Sequence, residues 1–433
     1  MEGADLMQSI THICLDEHIH LYHIPDAKYK TTTVSAYLHR PLCREEVTKN
    51  ALLAQVLRRG TKKLSGMAEI NRYTEDLYGT RYNVSAAKKG NVQSLVSSIS
   101  VLSDTYTDRP VLADAVGLML DFLFSPRTVE GVFDPAYVEI EKKNLKDAIE
   151  ALVNDKRSYA TYRCISEMCA DEPAALFEFG YVEDLDTISP QSLYAHYQSI
   201  ITKSPLTIFA IGDADVDALC DAVRTALKDR NFAITPLKYT PEKKQAGEIK
   251  MVEEAFDVAQ GKLSLGLRTC TTALDPDYYA LVVANSIFGA GAHSKLFNNV
   301  REKLSLCYYA SSALDKFNPI MIVSSGIEFE NFKKAKKEIL FQLEATKKGA
   351  FTDEELAIAK EYIINQYRSY LDSPHLMRDY YLGCALFGLS DTIDDAINKI
   401  KAVTTEDVVR AFTKVKLDTV YFLKGKEDTH AVS

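Results

Sequence analysis

A chain of 433 residues is longer than one hydrophobic core usually supports, so two or more domains are expected. Hydrophobic residues at 46% and charged residues at 26% match an ordinary soluble globular protein. With 60 acidic against 51 basic side chains the formal charge is −9, which argues against a general binder of nucleic acid or anionic membrane.

Met1-Glu2-Gly3-Ala4-Asp5 lacks the apolar run of a secretory signal, and no later run is long enough to span a bilayer. The 8 cysteines are scattered without a C-x-x-C pair, so reduced thiols and a cytoplasmic location are expected. Alternation predicts strands at His20–Ile24 and Thr32–Leu38, joined as a hairpin by a turn at Pro25-Asp26. Helices are predicted over Glu46–Arg59, stopped by Gly60, and over Gly66–Tyr78, stopped by Gly79. Strands recur at Tyr82–Ala86 and Val92–Val101. Helical patterns then cover Val111–Phe124 and Pro135–Val153, where Leu145, Ala148, Ile149 and Leu152 mark one apolar face. A strand at Leu206–Ile211 and a helix at Val216–Leu227 close the first half.

Residues 235–247 are polar, carry Pro236 and Pro241, and show no periodicity, which marks a linker. After it the order of elements restarts. Thr33–Leu38 lies over Lys262–Leu267, and Ala51–Gly60 over Ala280–Gly289 at the same offset. Phe133 and its helix match Phe351 and its helix, whose start carries the capping box Thr352-x-x-Glu355. The expected fold is therefore α+β, with two homologous lobes at 1–234 and 248–433, each an antiparallel sheet with helices packed on one face.

Several chemistries are weighed against plainer readings. His18, His20 and His23 form a histidine cluster, but alternation sends His23 to the opposite face, and exposed strand histidines are expected. Glu139, Glu141, Asp147 and Glu150 interleave with Lys142, Lys143 and Lys146, the pattern of a solvated helix face. There is no G-x-S-x-G elbow and no P-loop, and Gly289-Ala-Gly-Ala follows a helix where a nucleotide turn follows a strand.

The segment Ala51-Leu-Leu-Ala-Gln-Val-Leu-Arg-Arg-Gly-Thr61, with Glu69-Ile70-Asn71 and Leu77-Tyr78-Gly79, resembles the zinc-motif region of the pitrilysin/insulinase-type metallopeptidases. Gly289-Ala-Gly-Ala-His-Ser-Lys-Leu-Phe297 and Arg301-Glu-Lys-Leu-Ser-Leu-Cys-Tyr308 are similar to that family's glycine turn and R-E-K-x-x-L-x-Y segment. The resemblance implies the two-lobed pitrilysin/LuxS-like metallohydrolase architecture. It places the inverted motif H-x-x-E-H at Ala51, Ala54 and Gln55, and the third zinc ligand at Ala148. Alanine has no donor atom and glutamine is a poor ligand, so neither a metal, another cofactor nor zinc-assisted hydrolysis is expected.

By the same resemblance, Arg301 and Tyr308 contact the substrate backbone, with Gly289 and Gly291 forming the neighbouring turn. On the residues alone, Arg301 reads equally as a helix cap and Tyr308 as a sheet residue. The family includes pairs in which a zinc-free subunit supplies substrate contacts to a zinc-bearing sibling. The expectation is thus a non-catalytic homologue that binds peptide or unfolded polypeptide within a heterodimer, or as a homodimer. The alternative is a scaffold with no part in proteolysis.

Overall fold

The computed structural model describes residues 10–228 and 230–426, so the reading of Met1–Asp5 lies outside it. The chain opens with strands β1 (Thr11–Asp16), β2 (Ile19–Ile24) and β3 (Thr31–Pro41). Helices α1 (Val47–Leu57) and α2 (Met67–Asp76) lead to β4 (Arg81–Lys89) and β5 (Val92–Leu102). Five helices follow: α3 (Leu112–Phe124), α4 (Pro135–Ala151), α5 (Lys156–Met168), α6 (Val182–Leu185) and α7 (Pro190–Lys203). Strand β6 (Leu206–Ile211) and α8 (Val216–Leu227) end the first half, and 235–247 carries neither helix nor strand. The second half runs β7 (Lys250–Phe256), β8 (Gly261–Arg268), α9 (Tyr278–Phe288), a π-helix (Leu296–Lys303), β9 (Cys307–Leu314) and β10 (Ile320–Ile327). It finishes with α10 (Phe332–Lys347), α11 (Asp353–Tyr370), α12 (Pro374–Phe387), α13 (Ile393–Ala402), α14 (Thr405–Thr413) and β11 (Lys416–Gly425). No helix among the described residues is long and apolar enough to cross a membrane.

The two sheets repeat one topology. The first is ordered β1-β2-β6-β3-β5-β4 and the second β7-β11-β8-β10-β9, so β2 to β6 correspond in turn to β7 to β11. In each, the first of these pairs (β2 with β6, β7 with β11) is parallel and the others are antiparallel. The two-lobed α+β fold is present, with one parallel pair per sheet added to the expected antiparallel pattern. The Thr352–Glu355 capping box also forms, each side chain taking the other's backbone N–H at 3.1 and 2.7 Å.

One pairing differs from expectation. β2 and β3 do not form a hairpin: β6 lies between them, and β2 turns back onto β1 through Glu17 and His18. The reason is burial. β3 is buried on both faces over most of its length and needs a paired neighbour on each side, and the fully buried β6 provides one. The exposed β1 suits a sheet edge.

Contacts divide the chain into two compact units, Met1–Glu150 with Leu176–Lys238 and Ala151–Ala175 with Tyr239–Ser433. Sequence reasoning placed 151–175 in the first lobe and left one linker, whereas the chain passes between units three times. Helix α5 explains this. Ala160, Cys164 and Met168, spaced i, i+4, i+8, form a buried stripe packed with Ile320, Ile322, Tyr421 and Leu423. Arg163 Nε lies 2.7 Å from Glu254 Oε1, and Arg268, only 3% exposed, donates to Glu172 at 2.6 Å in the turn after the helix. A fragment of residues 239–433 lacks that cover and is expected to show no cooperative thermal transition by circular dichroism. Fusing residues 151–175 ahead of it is expected to restore one.

Burial also sets an acid limit. His39 on β3 is 2% exposed between Ser94 Oγ at 2.8 Å and Thr207 Oγ1 at 3.0 Å, and burial lowers its pKa from 6.5 to about 3. The unfolded chain therefore takes up a proton below pH 6.5 that the folded chain refuses, and stability falls as pH drops from 6.5 toward 3. His39→Gln removes this proton uptake, so its stability in denaturant titrations is expected to decline less than the wild type's between pH 6.5 and 4.

Candidate functional site

In the first unit, α1 and α4 frame a cavity of about 470 Å³. Helix α1 is apolar nearly all round, and burying each of its leucines contributes roughly 2 kcal/mol, which holds the helix in the core. It contributes Ala51, Ala54 and Gln55 to the cavity, the turn after it contributes Arg58 and Arg59, and α4 contributes Glu141 and Asn144. Asn83 to Ala86 of β4 form another wall, with Met67 and Phe179 at the margins. Three of the positions that the resemblance assigns to the zinc motif thus line one cavity. Ala148 lies one turn beyond Asn144 on the same face of α4, exposed.

The donor set does not fit zinc. Ala51 and Ala54 offer no donor atoms, and Gln55 Oε1 is buried without a hydrogen-bond partner. The nearby carboxylate, Glu141, is 5% exposed and already neutralised: Arg59 Nε donates to Oε1, and Asn144 Nδ2 donates to Oε2 at 2.9 Å. Among the described residues no group of three or more His, Cys, Asp or Glu side chains is placed to hold a metal ion. Glu141 also corrects the sequence reading of this helix. Glu139, Asp147 and Glu150 are exposed as expected, but Val138, Glu141 and Leu145 are the buried positions of α4. Their i, i+3, i+7 spacing was the signal that Glu141 belongs to the apolar face.

In the second unit, Arg301 and Tyr308 do come together, around a pocket of about 440 Å³ that Cys307, Glu328 and Asn331 also line. Arg301 sits in the π-helix, a rare conformation that recurs at functional sites. Its Nε donates to the Tyr308 carbonyl at 3.0 Å and its Nη1 lies 3.0 Å from Glu302. The fork is therefore partly engaged, tying the helix to β9 instead of capping its own C-terminus. Tyr308 is 61% exposed and donates to Glu328 Oε1 at 2.6 Å, and that carboxylate raises the phenol's pKa. Gly289 and Gly291 do not line this pocket. A Cβ on Gly289 would lie 2.3 Å from Ser312 Oγ, and Gly291 has φ of +111°, so close packing and a turn account for both.

Alternation does set His20 and His23 on opposite faces, but the expectation of exposed strand histidines fails: His23 is buried, and His18 lies in the turn before β2. His23 is 4% exposed and bonds the Gly212 carbonyl at 3.1 Å, while His18 lies 3.9 Å from Glu17. His20 instead meets His12 at 3.3 Å across the β1–β2 hairpin, a contact invisible while β1 was unassigned.

Because Glu141 is buried against a single cation, Arg59→Ala should cost about 3 kcal/mol in chemical denaturation. The double variant Arg59→Met with Glu141→Leu should recover most of that loss, since both charges leave together.

Comparison with known proteins agrees with this geometry. Residues 187–363 match the family description "Peptidase M16 inactive domain". The chain is 37% identical over 404 residues to "Probable inactive metalloprotease YmfF" of Bacillus subtilis, covering 92% of this chain and 94% of that one. The same bacterium has "Uncharacterized zinc protease YmxG", 24% identical over 62% of this chain and 63% of that protein. A conserved protein from Enterococcus faecalis superposes with a TM-score of 0.88 at 29% identity, covering 97% of this chain and 99% of that one. With the two-lobed repeat in place, and with Ala51, Ala54, Gln55 and Ala148 at the positions that the resemblance gives to zinc binding and water activation, the chain belongs to the M16, or pitrilysin/insulinase-type, metallopeptidase family as one of its inactive members.

Proposed function

We propose that this inactive homologue binds an extended peptide against the first-unit cavity and serves as the non-catalytic partner of a zinc-bearing sibling. The observation that carries the peptide-binding half is the edge of β4. Among the described residues this strand pairs only with β5 and ends its sheet, and the same Asn83–Ala86 stretch walls the cavity. Unpaired backbone donors and acceptors along an edge can take up an extended peptide, and an adjacent pocket can take one of its side chains. A scaffold with no substrate has no need of such a cavity.

The equivalent edge strand of the second unit, β9, carries Tyr308 beside Arg301, and these two are the second set of substrate contacts in this reading. The pairing half draws on family membership and on the presence of an inactive and a zinc-protease relative in one bacterium. The eight free cysteines suit the cytoplasmic location that this reading includes. Purification of the tagged protein from its native cells is expected to recover, in equimolar amount, a homologue with an intact H-x-x-E-H motif. Recovery of the chain alone, or with unrelated proteins, would remove the partner role.

A further inference from the structure

We infer that the cavity between α1 and α4 is an anion subsite, in which Arg58 receives a carboxylate of the bound peptide. The inference rests on the peptide-binding reading above and goes beyond it by naming the chemistry the cavity selects. The charge balance of the lining is its first support. Two guanidinium groups, Arg58 and Arg59, stand against one carboxylate, Glu141. The Arg59–Glu141 ion pair neutralises itself, which leaves Arg58 in excess. Arg58 is exposed and has no carboxylate partner among the described residues, and its polar neighbour is the hydroxyl of Tyr82.

The second support is the remainder of the wall. Its other polar groups are amides and a hydroxyl, from Gln55, Asn83, Asn144 and Ser85, which can donate to an anion and carry no negative charge. Ala51, Ala54, Ala86, Met67, Val84 and Phe179 complete the lining, and a carboxylate meeting the guanidinium there forms a charge-assisted hydrogen bond. A side-chain cation of charge one faces this space, so the cavity has a positive sign. A fixed guanidinium can hold a carboxylate but cannot activate water for attack on an amide.

The carboxylate can come from an aspartate or glutamate side chain, or from the end of the peptide chain. Fluorescence anisotropy distinguishes the two, using an amidated, labelled Ser/Thr/Val peptide with a central Glu, its Gln twin, and the Gln twin with a free C-terminal carboxylate. The amidated Glu peptide is expected to bind about tenfold tighter than its amidated Gln twin, the worth of one charge-assisted bond, with the advantage shrinking as salt rises. Arg58→Gln should abolish the advantage, bringing the Glu and Gln peptides to the same Kd. If the free-carboxylate Gln peptide shows the same Arg58-dependent gain, the subsite takes a chain terminus as well. Equal binding of all three peptides, or a uniform loss in Arg58→Gln, would overturn the inference while the peptide-binding reading stands. If no peptide binds, both fall together.

Discussion

Glu141 is a carboxylate with almost no access to water, and a buried charge of this kind persists only beside a counter-charge. Arg59, in the turn after α1, provides it, and Asn144 satisfies the second oxygen. This pair joins the two helices that would otherwise hold the family's metal. It ties the turn after α1 to α4 beside the cavity that β4 also walls. Where a zinc site would carry its own strong positive charge, the inactive chain has a neutral ion pair and one unpaired arginine. Loss of the metal ligands and retention of a polar cavity are thus parts of one arrangement, because the carboxylate of α4 is balanced from within the protein.

The repeated topology shows how one plan serves two purposes. β4 and β9 are equivalent edges, yet β4 borders a cavity with a charged floor while β9 carries an exposed tyrosine braced by Glu328. α1 and α9 occupy corresponding places, and both are buried on nearly every side. α9 closes at Gly289, where a side chain would strike Ser312, and Ser312 itself donates to Asn285 at 2.6 Å. The second unit thereby spends its polar residues on internal bonds. The first leaves Arg58 at its cavity without a carboxylate partner among the described residues, while Asn144 is taken up by Glu141.

Much of this was legible in the sequence. The repeat, the apolar helix at Ala51–Leu57 and the capping box at Thr352 follow from local pattern, since periodicity and caps are set by neighbours within a few residues. What escaped depends on partners far along the chain. β6 separates β2 from β3 only because a doubly buried β3 needs two neighbours. α5 joins the second unit through Met168 and Arg163, whose partners lie beyond residue 250. Glu141 was read as a surface charge because its neighbours in sequence are charged. Its burial follows from the apolar residues three before and four after it, and its counter-ion lies 82 positions away.

In this structure the Arg59–Glu141 ion pair bridges the turn after α1 and α4. Anomalous X-ray scattering at the zinc edge, from crystals equilibrated with zinc, tests it most directly. The account predicts no zinc beside Gln55 and an intact Arg59–Glu141 pair. A well-occupied zinc peak at coordination distance, about 2 Å, from Glu141 or Gln55, with Arg59 displaced, would contradict it.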